Sequence, residues 1–322
     1  MNLFVYRKKA SEGANQLADA LTDTINNVRV RRYRAAQAPL EGKVLPNDIV
    51  ICWGEPFSPV QRVKVLNGAP HRNKFADAVK LAEEGVATIQ VSRTRPASTP
   101  TLVPSPDPAI PAAETLSNLC EEFTNIDLPN SVRSGPFTAG LLALANSVAT
   151  LRTVLNRPIP VVAAAPAQEW LARTYDHVGG DDLLNRPSEP DFYALKENLV
   201  EEFRVHSFCG RSIRAGKKIP REGMQAHGWV RSWDGGWRIS YDGISSTKAI
   251  RQLAHKAVAA LGLDFGAVDI GVKADGSLIV LEVNRAPGIQ NGTIDRYVDA
   301  IQKWIRGEWQ PERDSDPDRG DA

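Results

Sequence analysis

Apolar runs separated by polar turns predict alternating strands and helices in the first third of the chain. The predicted strands lie at 2–6, 28–33 and 48–53. Helical spacing of apolar residues follows Ser11 and Asn73, two residue types that cap helices, and the second helix ends at Gly85. Such alternation is typical of an open sheet that binds ligands at the carboxyl ends of its strands, which makes residues 53–55 a candidate binding edge.

The pattern changes between residues 96 and 135, which hold many of the 22 prolines. Because proline disfavours helix and sheet interiors, most of this segment is predicted as loop or extended chain. Helical spacing returns at 114–123 and more clearly at 137–155. The pattern leaves open whether 96–165 is a linker, an insertion or part of a second lobe.

Short strands return from residue 169 onward. They are predicted at 170–173, 192–195, 202–208 and 212–218, with a glycine-containing loop at 176–182. Residues 224–242 are rich in glycine and tryptophan and are predicted as a loop with short strands. The last regular elements are helices at 248–261 and 297–305, and the polar residues 308–322 are predicted to be disordered.

Two apolar strands near the C-terminus carry a candidate metal site. Residues 268–272 and 278–283 are separated by turn-forming residues, which predicts a hairpin. Asp269 lies in the first strand, and Glu282 and Asn284 share a face of the second, with Asp269 as a cross-strand neighbour. Adjacent buried carboxylates repel and lose hydration, whereas Mg²⁺ removes that cost and takes oxygen ligands. The alternative is a hairpin whose acidic groups face water.

Size and composition narrow the functional classes. At 322 residues the chain exceeds the roughly 100 to 200 residues of one domain. Its 39 Lys and Arg against 38 Asp and Glu give no electrostatic reason to expect nucleic acid or an anionic membrane as partner. Three cysteines without C-x-x-C spacing argue against a disulfide framework and a zinc site. Without a membrane-length apolar run or a signal core, the sequence predicts a cytoplasmic protein.

The order of several motifs resembles the ATP-grasp superfamily, especially its ribosomal-protein glutamate ligases, glutathione synthetases and D-alanine–D-alanine ligases. The motifs are Glu202-Phe-Arg204, Asp269, Glu282-Val-Asn284 and Ala286-Pro287-Gly288. The phrase AVDIGV followed by LIVLEVNRAPG is the specific part. The strand that ends at Trp53-Gly54 and the helix that opens at Asn73-Lys74 are similar to the pre-ATP-grasp domain.

The resemblance covers about residues 1–90 and 168–306 and implies an α+β and α/β architecture, an ATP-grasp fold with an N-terminal open-sheet domain. The implied boundaries are 1–95 for the pre-ATP-grasp domain, 96–195 for a proline-rich segment with the central small lobe, 196–307 for the C-terminal lobe with the metal site, and 308–322 for the tail.

The same resemblance assigns roles to individual residues. The implied ligands of Mg²⁺ (or Mn²⁺) are Asp269, Glu282 and Asn284, and the implied ATP contacts are Arg173, Gly179, Gly180, Lys196, Glu197, Leu199 and Glu202. Arg204, Lys217 and Arg285 are implied to project toward the reacting phosphate and carboxylate and to stabilise their charge. Glu197, Lys217, Lys218 and Arg285 are equally compatible with surface positions, and His177 with a catalytic or a structural role.

The implied activity is ATP-dependent ligation of a carboxylate to an amine through an acyl phosphate, with ADP and phosphate as products. A phosphotransferase on the same fold and a non-catalytic nucleotide-binding protein are the alternatives, the latter because Asp181 and Asp182 make the glycine loop acidic. The tryptophans and arginines of 221–241 would suit an amino acid or an acidic peptide as substrate. No nucleic acid or membrane partner is expected, and a homo-oligomer is left open.

Overall fold

A computed structural model describes residues 1–7, 11–26, 28–34, 40–58, 63–96, 168–175, 180–185, 187–244, 246–289 and 292–312. The chain divides into two compact units, one formed by Met1–Pro96 with Glu169–Ala322 and the other by Ala97–Gln168. Apart from Gln168, the second unit lies outside the described residues, as do the helices predicted at 114–123 and 137–155. The architecture below is that of the first unit.

The N-terminal part of this unit is an open parallel sheet with helices. Its elements are β1 (Asn2–Arg7), α1 (Glu12–Thr24), β2 (Arg29–Arg34), β3 (Ile49–Trp53), β4 (Lys64–Leu66) and α2 (Lys74–Glu83). The strands are parallel in the order β2-β1-β3-β4. The Ser11 and Asn73 side chains cap α1 and α2. Each accepts a hydrogen bond from the backbone amide three residues later in the chain, that of Ala14 and that of Ala76. The predicted strands, helices and caps are confirmed.

A small antiparallel sheet follows, made of strands from both sides of the proline-rich segment. It contains β5 (Val91–Ser92), β6 (Trp170–Arg173) and β7 (Phe192–Leu195) in the order β5-β7-β6. One short helix, α3 (Asp181–Leu184), replaces part of the loop that the sequence predicted between β6 and β7. The two predicted strands of this region are confirmed.

The largest sheet is antiparallel and carries the predicted hairpin at one edge. Its strands are β8 (Leu199–Phe208), β9 (Arg211–Pro220), β10 (Trp237–Ser240), β11 (Phe265–Lys273) and β12 (Leu278–Asn284), in the order β10-β9-β8-β11-β12. The helix α4 (Lys248–Ala260) packs on one face through apolar residues such as Ile250 and Val258. None of the described helices is both long and apolar enough to cross a membrane.

The last helix, α5 (Thr293–Arg306), packs with α1 and joins the N-terminal sheet to the large one in a shared core. Tyr297 lies in this core between Trp53 of β3 and Phe265 of β11, with ring centroids 5.6 and 5.9 Å away. The carboxyl end of β3 is thereby packed against the large sheet.

Residues 308–312 correct the prediction that disorder begins at 308. Trp309 packs edge-on against Phe208 and donates a hydrogen bond to the Cys209 carbonyl at 3.1 Å. Glu312 binds Arg251 and His255, each at 2.9 Å. A partly buried ring and a paired carboxylate hold this segment in place, which its polar composition did not reveal. Residues 313–322 lie outside the described part of the chain.

Candidate functional site

One face of the large sheet brings most of the predicted site residues together. Period-two alternation puts Glu202, Arg204 and His206 of β8 on this face, and the register aligns each with neighbours on the adjacent strands. The three rows are Lys218, Glu202 and Gly271, then Gly216, Arg204, Asp269 and Glu282, and finally Arg214, His206, Ala267 and Asn284. Same-face residues lie roughly 6 to 7 Å apart along a strand, so the rows are successive steps along the sheet.

The first and second rows form the floor of a cavity of about 730 Å³, which they line through Lys218, Glu202, Arg204, Asp269 and Glu282. That volume lies in the range of small-molecule sites. The walls come from the small sheet, from α3 and from a segment between β9 and β10, residues 221–236, which we call the strap. The predicted ATP contacts that line the cavity are Arg173, Gly180, Lys196, Glu197, Leu199 and Glu202. Gly179 and His177 lie outside the described residues.

An ion-pair network occupies the centre of the floor. Arg204 binds both carboxylate oxygens of Asp269, at 2.6 and 2.7 Å, and Lys218 lies 3.5 Å from the same carboxylate and in close contact with Glu202. Burial alone would raise the pKa of Asp269, but the Arg204 and Lys218 charges hold it below its ordinary value, so the carboxylate stays ionised. Burial raises the pKa of Glu202, a shift that Lys218 opposes.

A third cation reaches this network from the N-terminal part of the chain. Lys74, the first residue of α2, lies 2.9 Å from Glu282 and lines the cavity. Lys74, Arg204 and Lys218 thus face the carboxylates of Glu202, Asp269 and Glu282. A floor with both signs of charge can hold an anionic ligand together with a cation.

The predicted metal ligands lie on the same face of the β11–β12 hairpin, with Asp269 directly opposite Glu282. The amide nitrogen of Asn284 is buried and has no hydrogen-bond partner within the described part of the chain. Two carboxylates and an amide oxygen are the hard donors that Mg²⁺ prefers, and the set fits that ion. No cluster of three or more His, Cys, Asp or Glu side chains suited to a metal occurs among the residues described.

Two of the three predicted catalytic cations do not project into the cavity. Lys217 faces the opposite side of β9, where it contacts Glu201 and lies over the Phe203 ring, because alternation along the strand turns Lys218 inward instead. Arg285 donates to Asp77 of α2 at 3.0 Å and to the Pro70 carbonyl at 2.7 Å. The expectation that these two side chains point toward the site is therefore wrong. Arg204 lines the cavity as predicted.

One end of the cavity is lined by Lys196, Glu197 and Leu199, three of the predicted ATP contacts, and we call this segment the hinge. The Lys196 ammonium lies 2.7 Å from Glu169 and 4.7 Å from the centre of the Trp229 ring, while Glu197 binds Lys273 at 2.9 Å. The carbonyl of Leu199 accepts a hydrogen bond from Arg231 of the strap at 2.8 Å. The hinge and the strap therefore contact each other at this end.

The acidic residues next to the glycine loop are partly neutralised. Asp182 is buried and accepts hydrogen bonds from Arg173 at 2.8 Å and from the Thr174 amide at 3.1 Å. Gly180 adopts a positive φ of 78° at the start of α3, a conformation that glycine reaches without strain. The Asp182 charge thus fixes the end of β6 rather than repelling an anion in the cavity.

Several residues that the sequence analysis did not assign to the site line this cavity. Among them, Lys74, Lys218 and Tyr241 contact its charged network or its wall through polar groups. A signal existed for Lys74, which opens the helix that Asn73 caps, and for Lys218, which shares a strand face with Arg214. Tyr241 lies within the Gly- and Trp-rich segment 224–242, whose pattern has no clear period.

No family model and no curated protein matches the sequence. Solved structures do match its fold. The ATP-grasp ligase PsnB complexed with its minimal precursor superposes with a TM-score of 0.51 at 12% identity, covering 95% of this chain and 97% of that one. D-alanine–D-alanine ligase from Bacillus anthracis, complexed with ATP, gives a TM-score of 0.50 at 12% identity, covering 96% and 100%. The mixed α/β chain described here therefore has the fold of the ATP-grasp ligases.

Proposed function

We propose that the chain is an ATP-dependent ligase that joins a carboxylate to an amine and releases ADP and phosphate. The observation that carries this proposal is the central row of the cavity floor, where Arg204, Asp269 and Glu282 lie side by side. Charge that develops on a transferring phosphoryl group is stabilised by fixed cations and by a metal at such a row. The ATP-grasp fold supports the same assignment.

ATP takes the hinge end of the cavity in this proposal. Its adenine lies against the hinge formed by Lys196, Glu197 and Leu199, its ribose hydroxyls donate to Glu202, and Arg173 and Gly180 face its phosphates. A charged acceptor makes strong hydrogen bonds to hydroxyls, and the neighbouring Lys218 favours the charged form of Glu202. The order of these residues along β8 runs from the hinge to the ion-pair network.

Asp269, Glu282 and Asn284 would hold Mg²⁺ or Mn²⁺. When bound there, the ion neutralises phosphate charge and makes the γ-phosphorus a better electrophile. The side chains that act with it are Arg204, which reaches the same carboxylate, and Lys74 and Lys218, which balance the neighbouring ones. Their ion pairs hold these side chains in place, which lowers the cost of organising charge during the reaction.

The reaction proceeds in two transfers. An oxygen of the substrate carboxylate attacks the γ-phosphorus, the bond from that phosphorus to the bridging oxygen breaks, and ADP leaves with the electron pair. The amine nitrogen then attacks the acyl carbon, phosphate leaves, and the nitrogen loses a proton. Because ATP supplies the leaving group, the protein only positions the reactants and stabilises charge. An amino acid or a peptide is the substrate class that the tryptophans and arginines of the strap favour.

Product analysis tests the proposal against its alternatives. Purified protein is incubated with Mg²⁺-ATP and pooled amino acids and carboxylic acids, and ADP and new masses are measured. Ligation predicts ADP together with an amide, and Asp269→Asn lowers both at least a hundredfold, the size of losing a charged group at the reacting phosphate. Asp299→Asn, at an exposed position of α5, is the matched control and changes neither.

A phosphorylated product without amide would instead identify a phosphotransferase. Binding of ATP without ADP release in any pool would identify a nucleotide-binding protein without catalysis. Either result rejects the ligase assignment.

A further inference from the structure

One tyrosine at the cavity wall is held by side chains from two neighbouring strands. Tyr241 directly follows β10 and lines the cavity. Its hydroxyl lies 3.3 Å from Nε2 of His206 on β8. Arg214 of β9, which donates a hydrogen bond to Thr293 at 3.0 Å, lies over its ring. These contacts with β8 and β9 hold the phenol in place.

The ring of Tyr241 packs against Gly216 and Arg214 of β9. A Cβ at Gly216 would lie 2.8 Å from two ring carbons of Tyr241, closer than real Cβ atoms approach, so only glycine leaves room for the ring. The Arg214 guanidinium lies over the ring at 3.9 Å from its centre. A cation over an aromatic face is attractive, which holds the ring down on the strand.

The contact with His206 leaves an acceptor site open on the phenol. His206 is fully buried, and burial lowers its pKa to about 3, so the imidazole is neutral and one ring nitrogen accepts. Nδ1 lies 3.3 Å from the Tyr297 hydroxyl and Nε2 lies 3.3 Å from the Tyr241 hydroxyl. A phenol oxygen has two lone pairs, and the contact with Nε2 uses at most one of them, whichever ring nitrogen carries the proton.

The order of residues along β8 places this phenol toward the end of the cavity away from the hinge. Glu202, Arg204 and His206 succeed one another along β8, and Tyr241 is bonded to the last of them. Gly288, which follows the hairpin, lines the cavity as well. If nucleotide occupies the hinge end and the phosphoryl group the row of Arg204, the next row lies where the second substrate approaches.

We propose that the Tyr241 hydroxyl accepts a hydrogen bond from the N–H of the attacking amine, and that His206 and Arg214 position it. This inference rests on the proposed ligase function and adds a residue for its second transfer. As the C–N bond forms, the C–O bond to phosphate breaks and the proton lost by nitrogen goes to the departing phosphate. The bonded N–H fixes the nitrogen so that its lone pair faces the acyl carbon, a positioning effect.

The phenol acts here as an acceptor and not as a base. Burial raises the pKa of Tyr241, so its hydroxyl stays protonated at neutral pH. The neutral His206 is likewise unable to take its proton and keep it, since its own pKa is low. Orientation of the amine is the chemistry that this arrangement supports.

The test competes hydroxylamine with the amine. Protein, Mg²⁺-ATP and the pooled amino acids and carboxylic acids are mixed with and without hydroxylamine, and hydroxamate and amide are quantified by mass. Hydroxylamine at high concentration traps an acyl phosphate without needing to be positioned. Tyr241→Phe keeps the ring in place on β9 and lowers the ratio of amide to hydroxamate about tenfold, the size of one hydrogen bond between neutral groups in the transition state.

Matched variants separate the effect of the Tyr241 hydroxyl on the amine from general effects on the stability of the protein. Tyr33→Phe removes a phenol hydroxyl from β2 and leaves the ratio unchanged. His206→Gln can offer an amide oxygen near the place of Nε2 and lowers the ratio less than His206→Leu does, at melting temperatures measured for each. Gly216→Ala displaces the ring and lowers the ratio as Tyr241→Phe does.

Each outcome decides between the two proposals. An unchanged ratio in Tyr241→Phe, or parallel loss of hydroxamate and amide, overturns the role of Tyr241 while the ligase assignment stands. Absence of both products with the unmodified protein rejects the ligase assignment, and the role of Tyr241 falls with it.

Discussion

Replacing Arg204 by methionine removes the guanidinium that binds both oxygens of Asp269. The Asp269 side chain is 6% exposed and that of Arg204 is 21% exposed, so the pair is largely shielded from water. Removing one partner of a buried pair costs about 3 to 5 kcal/mol, because the other charge stays buried and unpaired. We expect about 3 kcal/mol for Arg204→Met, the low end, since Lys218 at 3.5 Å still faces the carboxylate.

The double-mutant cycle separates this pair from general effects of substitution. Asp269→Asn leaves Arg204 buried without its carboxylate and is expected to cost about 3 kcal/mol as well. The combined variant leaves no uncompensated charge at the pair, so its cost falls short of the sum by about 2 to 3 kcal/mol. Urea denaturation with EDTA present measures the free energy of unfolding while bound divalent ions are removed.

An exposed pair supplies the control for this cycle. Lys303 and Asp299 on α5 lie 2.7 Å apart with side chains 48% and 56% exposed. Water screens such a pair, so the cycle of Lys303→Met and Asp299→Asn gives a coupling near zero. Additive costs at Arg204 and Asp269 would refute the view that this pair organises the cavity floor.

Three further predictions concern affinity, stability and pH. Lys74→Met raises the Kd for Mg²⁺-ATP about tenfold, the size of one charge-assisted contact, whereas Lys80→Met on the same helix leaves it unchanged, as calorimetry would register. Glu312→Ala lowers the free energy of unfolding by about 2 kcal/mol because two basic side chains lose their partner, and Glu308→Ala, at an exposed position, does not. Because the pKa of His206 falls from 6.5 to about 3 on folding, the unfolded chain binds more protons between these values and stability declines as pH drops through this window. His206→Gln makes the decline in the free energy of unfolding shallower by up to about 1.4 kcal/mol per pH unit. Equal slopes for the variant and the unmodified protein would refute the view that folding lowers the pKa of His206.

The hairpin of the candidate site could be predicted because its determinants are local. Apolar strands with a turn between them fix the pairing, and period-two alternation places Glu282 and Asn284 on one face. Asp269 then lies opposite Glu282, as expected from the sequence. The helix caps at Ser11 and Asn73 were predictable for the same reason.

The face of β9 was not predictable in this way. Charged residues occur on both faces of that strand, so polarity alone does not tell whether Lys217 or Lys218 turns inward. Lys218 is the one that turns inward, where it contacts Glu202 on the adjacent strand β8. Arg214 faces the cavity side, as its contact with Tyr241 shows, and period-two alternation along β9 then puts Lys218 on the same face.

Long-range contacts account for the remaining differences. Arg285 was expected at the reacting groups because it follows Asn284, but its partner Asp77 is 208 residues away in the sequence. Lys74 reaches Glu282 from the N-terminal part of the chain over a similar separation. Pairings of this kind depend on how α2 packs against β12, which no local pattern encodes.

Trapping with hydroxylamine tests the central claim most directly, because it reports activation of a carboxylate whatever the natural amine is. Protein is incubated with Mg²⁺-ATP, hydroxylamine and pooled carboxylic acids, and hydroxamate and ADP are measured together. The ligase account predicts hydroxamate and ADP in equal amounts with at least one pool, and loss of both with EDTA or Asp269→Asn. Bound ATP with no hydroxamate in any pool would contradict it.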